Sequence, residues 1–152
     1  MRIFFDTEFT ALRDDAELIS IGLVDETARH TFYAEVLGVD ASRCSPFCRA
    51  SVLPILEGGS AALPLGKLRE TLRIWLFTVG PATLVCDSSR DMVQLLRLFP
   101  DGLPGGCSVS VLGFVGNMRR RLLNLRRRLH RRHGLRVHHA LDDAKVNRIA
   151  LV

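Results

Sequence analysis

The pattern of apolar and polar positions changes character along the chain. Residues 2–6 form an apolar run, residues 17–24 alternate and are rich in branched side chains, and residues 30–36 form a third such segment after a polar turn. Each of these stretches predicts a strand. Short polar turns separate them, one at residues 11–16 with Asp14 and Asp15, the other at residues 25–27. Strands joined this closely predict an antiparallel meander. Residues 39–47 then read as a loop, and residues 47–56 as a short helix closed by Gly58 and Gly59. Across residues 63–79, Leu65, Leu68, Leu72, Trp75 and Leu76 fall at helical spacing, with Lys67, Arg69, Glu70 and Arg73 between them. Gly80 and Pro81 stop that helix.

From residue 83 onward, strand and helix alternate. Residues 83–86 predict a short buried strand, and Asp87, Ser88 and Ser89 predict the cap of a helix that turns Met92, Leu95, Leu96 and Phe99 inward. After a loop rich in Gly and Pro, residues 108–112 predict a fifth strand. Gly116 and Asn117 open a basic helix with Leu122, Leu125 and Leu129 as its apolar stripe, and His133 and Gly134 end it. Residues 140–151 predict a last helix, which is expected to be short and weakly anchored because Val152 follows soon after Asp143. Three antiparallel strands followed by this alternation predict an α/β fold. The sheet is expected to be mixed and five-stranded, three strands antiparallel and then two parallel, with helices on its faces. No repeat or linker divides the chain, so residues 1–152 are expected to form one domain.

Two polar clusters interrupt this pattern. Asp6 and Glu8 follow the first apolar run one residue apart, so on a strand they project to the same side of the pleat. Two acids held together repel, and a cation between them reverses that cost. Hard oxygen ligands suit Mg²⁺ or Mn²⁺. A strand end dipping into solvent is the plainer reading of the pair taken alone. The second cluster, His138, His139, Asp142 and Asp143, lies where the last helix begins. Acids in a first helical turn complement the helix dipole, which explains the acids but not the histidines.

Together the clusters resemble the motifs of the DEDDh (DnaQ-like) 3′–5′ exonucleases. Asp6-Thr7-Glu8 resembles that family's first motif. His138-His139-Ala140-Leu141-Asp142-Asp143-Ala144 resembles its last, H-x-A-x-x-D. Phe5–Phe9, Glu17–Gly22 and His138–Lys145 resemble more narrowly the small bacterial exoribonuclease-like subgroup. The resemblance implies a ribonuclease H-like sheet and hydrolysis of single-stranded RNA from its 3′ end. It also implies two Mg²⁺ or Mn²⁺ ions held by Asp6, Glu8, Asp91 and Asp143, with His138 as general base. Asp91 is the expected middle acid because a helical apolar pattern follows it, and Asp87 is the reserve. In-line phosphodiester hydrolysis suits this set: two cations ~3.5–4 Å apart activate water and stabilise the leaving oxygen. An imidazole can take the water's proton near neutral pH. The alternatives are a 3′–5′ DNA exonuclease of proofreading or repair type, and a non-catalytic nucleic-acid-binding domain. A homo-oligomer is also compatible with the resemblance.

Charge adds a third feature. Nine arginines and no acid lie between Arg119 and Arg136, and subtracting them from the net charge of +5 leaves −4 for the rest of the chain. Arg126, Arg127 and Arg128 are therefore candidates to hold substrate phosphates. An arginine-rich solvent face and a contact with an acidic partner subunit are the other readings. Thr7 and Phe9 lie beside the acids as further substrate-side candidates. Phe9 either stacks on a base or belongs to the core. No apolar run is long enough to span a bilayer, and the N-terminus carries no signal-peptide pattern. Cys44, Cys48, Cys86 and Cys107 have no zinc spacing, so free thiols and a cytoplasmic setting are expected.

Overall fold

A computed structural model of the chain describes residues 1–112 and 117–151. Strand β1 (Arg2–Phe9) runs through both acids instead of stopping at Asp6, and it is buried from Ile3 to Thr7. It pairs antiparallel with β2 (Leu18–Asp25), buried along its whole length. Strand β3 (Thr31–Val36) continues the meander on the far side of β2. Helix α1 (Pro46–Ser51) follows; Ser45 caps it by accepting from the Cys48 amide at 3.1 Å, and Pro46 sits in the first turn.

The sheet has six strands, not five. The addition is β4 (Ala62–Leu63), which pairs parallel with β3 at the edge. Two residues are too few to leave a periodicity in the sequence, so only the pairing reveals the strand. Helix α2 (Leu65–Val79) ends at Gly80, whose φ of 82° suits glycine. Strand β5 (Thr83–Cys86) lies parallel to β1, helix α3 (Ser89–Leu98) follows, and β6 (Ser108–Val111) lies parallel to β5. The sheet order is β4-β3-β2-β1-β5-β6. This is an α/β fold with a mixed sheet flanked by helices, consistent in general terms with ribonuclease H-like topology.

The two faces of the sheet are filled differently. Ile3, Phe5, Ile21 and Leu23 pack against Leu68, Leu72 and Leu76 of α2 and Leu95 and Leu98 of α3, all buried. On the opposite face Phe4, Val24 and Val85 meet Ala144 of helix α5 (Ala140–Leu151). Gly22 makes that seating close. A Cβ there would stand 2.2 Å from the Leu141 amide nitrogen, well inside any real contact. Gly22 is the β2 partner of Asp6, so the start of α5 is drawn onto the sheet beside the first acid. Far from being weakly anchored, α5 buries Ala140, Asp142, Asp143, Ala144, Val146 and Asn147.

Helix α4 (Asn117–His133) is the basic helix, and Gly134 follows it at a φ of 63°. The expectation that Gly116 opens it lies outside the described residues. Its inward face differs from the leucine stripe. Leu129 and His130 are buried and Leu122 and Arg126 half-buried, whereas Leu125 is exposed. Spacings of four and eight residues put Leu122, Arg126 and His130 on one side. The carboxylates beneath draw that side in, and Leu125 is left outside. Among the described residues no helix is long and apolar enough to cross a membrane. All four cysteines are free thiols.

Candidate metal centre

Asp6 and Glu8 leave the same side of β1, Asp6 buried and Glu8 half-buried. Between them Thr7 faces α3. Its hydroxyl donates to Asp91 Oδ1 at 2.6 Å and its amide to the same oxygen at 3.1 Å. Asp91 stands in the first turn of α3, whose cap is Ser88, accepting from the Arg90 amide. That cap fixes where α3 begins, and with it the position of Asp91. Asp87 lies just ahead of the cap. The structure brings both middle-acid candidates together: Asp6, Asp87 and Asp91 place one carboxylate oxygen each within 4.8 Å of one another.

A second group forms beside the first. Glu8, His138 and Asp143 also bring one ligand atom each within 4.8 Å of one another. Asp143 sits in the first turn of α5, delivered by the close approach at Gly22. His138 has a φ of 64°, an uncommon backbone conformation for a non-glycine residue and one found at functional sites. Its ring packs edge-on against Phe47 of α1, with centroids 4.8 Å apart. The adjacent His139 turns the other way, is buried, and stacks on Tyr33 at 4.3 Å. Asp142 is engaged by Arg136, whose Nε donates to it at 2.7 Å while Nη2 donates to Glu57 Oε1 at 2.9 Å. Glu57 and Gly58 in turn donate their amides to the buried carboxylate of Glu35, at 2.6 and 2.9 Å. His139 and Asp142 thus brace the backbone on which His138 and Asp143 are carried.

Arg126 and His130 of α4 enter the site. Arg126 bridges the groups, donating from Nη1 to Asp87 Oδ2 and from Nη2 to Asp143 Oδ1 at 3.2 Å. His130 Nε2 lies 2.8 Å from Asp143 Oδ1, and its Nδ1 lies 3.3 Å from the Leu135 carbonyl. Both ring nitrogens therefore face acceptor oxygens. The sequence pointed to Arg126 as a phosphate ligand and passed over His130. The signal for this inward pair was their spacing of four residues on one helical face.

The cleft around these residues has a volume of about 980 Å³. Phe9, Leu12, Phe47, Leu123, Arg127 and Val137 line it along with the acids. Arg128 is exposed and does not line it. Thr7 lines it too, but its hydroxyl is committed to Asp91.

Crowded carboxylates hold protons tightly here. Burial, followed by the charges of Asp91, Asp143, Glu8 and Asp87, raises the Asp6 pKa well above the usual carboxylate range. Burial and the charges of Asp143 and Asp91 push Glu8 up to about 8. Burial also pushes Asp91 up to about 7, against the two Thr7 hydrogen bonds that favour its charged form. Burial alone would favour a neutral Arg126, but Asp87, Asp6 and Asp143 hold it charged. Carboxylates that resist ionisation for want of positive charge fit hard divalent cations, which bind such oxygens and relieve the repulsion. Both groups are close enough to coordinate metal ions.

No family model matches the chain. Over 74 residues, 49% of this chain, it is 39% identical to two proteins of Mycobacterium tuberculosis, one from each of two strains, both named 3′–5′ exoribonuclease. The match covers 42% of each of them, so the aligned part spans less than half the length of these curated relatives. A distant relation to named exoribonucleases and two clusters suited to metal ions thus meet in one chain.

Proposed function

We propose that this chain is a metal-dependent 3′–5′ exonuclease of the DEDDh kind, hydrolysing single-stranded RNA from its 3′ end. The observation that carries the reading is the pair of adjacent ligand groups, one of which contains a histidine beside Glu8 and Asp143. Asp6, Glu8, Asp91 and Asp143 are the proposed holders of two Mg²⁺ or Mn²⁺ ions, with Asp87 as a fifth acid. Such ions, when bound, supply a more acidic water and stabilise the departing 3′ oxygen.

The chain's own groups do the rest. His138 takes the water's proton on a ring nitrogen. Its edge-on contact with Phe47 and the braced backbone at His139 and Asp142 hold that ring in place. Thr7 orients the Asp91 carboxylate with two hydrogen bonds. Phe9, Phe47 and Leu12 offer apolar surface for terminal bases, since stacking binds single strands with little sequence preference. Arg127 faces the cleft, and the exposed arginines of α4 beyond it offer charge for the phosphate backbone. The choice of RNA over DNA comes from the names of the distant relatives and the motif resemblance.

The test is a degradation assay on matched RNA and DNA strands labelled at the 5′ end, with Mg²⁺ and with Mn²⁺. Stepwise shortening of RNA from the 3′ end is the expected result. Intact strands with both metals overturn the enzyme reading, and faster loss of DNA moves the substrate to DNA. Replacing His138→Ala should slow cleavage by about 10²–10⁴-fold and change its pH profile. Unaltered rates would exclude His138 as the base.

A further inference from the structure

Arg126 is where the molecule departs from a simple acidic metal site. One planar guanidinium reaches both ligand groups, joining Asp87 of one to Asp143 of the other. Its side chain is 16% exposed, so it is packed into the cleft and is no loose surface arginine. A fork of this shape can satisfy two carboxylates at once, which a lysine ammonium cannot do in the same geometry. The oxygens that Arg126 occupies belong to the acids that a divalent cation would need. His130 holds the same Asp143 oxygen from the next turn of α4, at 2.8 Å. Two side chains of one helix thus contact carboxylates from the β5–α3 turn and α5, and Arg126 neutralises them.

We infer that Arg126 is a built-in counter-cation that competes with divalent metal for Asp87 and Asp143, so that α4 latches the metal-free site and is released when metal binds. This rests on the proposed metal-dependent reading of the site. The latch has a direct consequence for the basic helix: once Arg126 leaves the carboxylates, its guanidinium is free to pair with a phosphate in the cleft that Arg127 also lines. One arginine then serves the closed site in the absence of metal and the substrate in its presence. Electrostatics sets the direction. A guanidinium near a divalent ion is repelled by it, whereas near a phosphodiester it is attracted.

The experiment is a titration of the full chain with Mn²⁺ at low ionic strength, following the signal of free hexaaqua-Mn²⁺ by electron paramagnetic resonance. Wild type, Arg126→Met and Arg126→Lys are compared, with melting temperatures measured with and without the metal. Arg126→Met keeps the aliphatic stem and removes the charge. It should bind Mn²⁺ about tenfold more tightly than wild type, with Arg126→Lys between the two. Without metal, Arg126→Met should melt below wild type, and the gap should close at saturating Mn²⁺. Equal or weaker Mn²⁺ binding by Arg126→Met overturns the latch while leaving the metal site standing. A melting gap that persists at saturating Mn²⁺ also overturns it, because the arginine would then stay on the carboxylates with metal bound. Absence of Mn²⁺ binding by all three proteins overturns the metal site itself, and the latch with it.

Discussion

At the scale of single residues, Asp6 carries a concentrated electrostatic cost. It is buried, and four other carboxylates raise its pKa further. Such a residue opposes folding at neutral pH unless a cation compensates it. Replacing Asp6→Asn should therefore have two opposite effects. On the proposed reading cleavage should be lost, because one of the proposed metal ligands is gone. The metal-free protein should melt higher at pH 8, by roughly 2–4 °C for each kcal/mol of repulsion relieved. Calorimetry in the presence of a chelator checks the second effect; a lower melting temperature would mean that Asp6 is already compensated within the protein. The residues themselves were readable in the chain. Asp6 and Glu8 stood out by their spacing, His138 and Asp143 by their resemblance to a family motif, and all four line one cleft. The choice between Asp87 and Asp91 was not readable, because both stand within the same short turn and both reach Asp6. Thr7 was equally opaque. A threonine between two acids says nothing of the carboxylate 84 positions later that takes both its donors.

At the scale of elements, the decisive contact is between β2 and α5. Gly22 has no side chain to hold them apart, and any Cβ would intrude on Leu141 and Ala140. Gly22→Ala should cost about 1–3 kcal/mol or more through overpacking. Because α5 carries Asp143 in its first turn, the same change should weaken Mn²⁺ binding along with stability. Denaturant unfolding and metal titration on one sample separate the effects; a destabilised protein with unchanged metal affinity would show that α5 can shift without moving Asp143. Several elements could be drawn from patterning, since α2 and α3 carry apolar faces, α2 closed by Gly80 and α3 capped by Ser88. Helix α4 shows the limit of that method. Three leucines marked one face, yet the protein turns Arg126 and His130 inward to meet acids distant in sequence, leaving Leu125 at 41% exposure. Apolar patterning ranks faces by transfer from water and cannot see a charge waiting on the other side. Strand β4 escaped for a simpler reason: a parallel pair of two residues has no period.

At the scale of the whole molecule, the acidic site sets how stability responds to pH. Glu8 moves from 4.5 in the unfolded chain to about 8, and Asp91 from 3.8 to about 7. Unfolded, both release their protons near pH 4; folded, they keep them until pH 7–8. Folding therefore takes up protons across that interval, and metal-free stability falls as pH rises from about 4 to about 8. Asp25 and Asp142 act in the opposite sense, since hydrogen bonds from His30 and Arg136 outweigh their burial and lower their values. Their contribution is lost only under more acidic conditions, below the ordinary aspartate range. A maximum near pH 4–5 follows for the metal-free protein. Melting curves at pH 5 and pH 8 in a chelator check this, and adding Mn²⁺ at pH 8 should recover the loss. Stability that rises steadily to pH 8 without metal would contradict the crowded-carboxylate account.

The brace behind the site has its own signature. Glu35, at 2% exposure in β3, accepts the amides of Glu57 and Gly58, and Glu57 is tied through Arg136 to Asp142 at the start of α5. Irregular segments normally trade their amide hydrogens with solvent within seconds. Here a non-strand, non-helical stretch is clamped at both its backbone and its side chain. Its two amides should exchange with deuterium as slowly as those of the neighbouring sheet, marking this loop as part of the rigid frame against which the cleft is built.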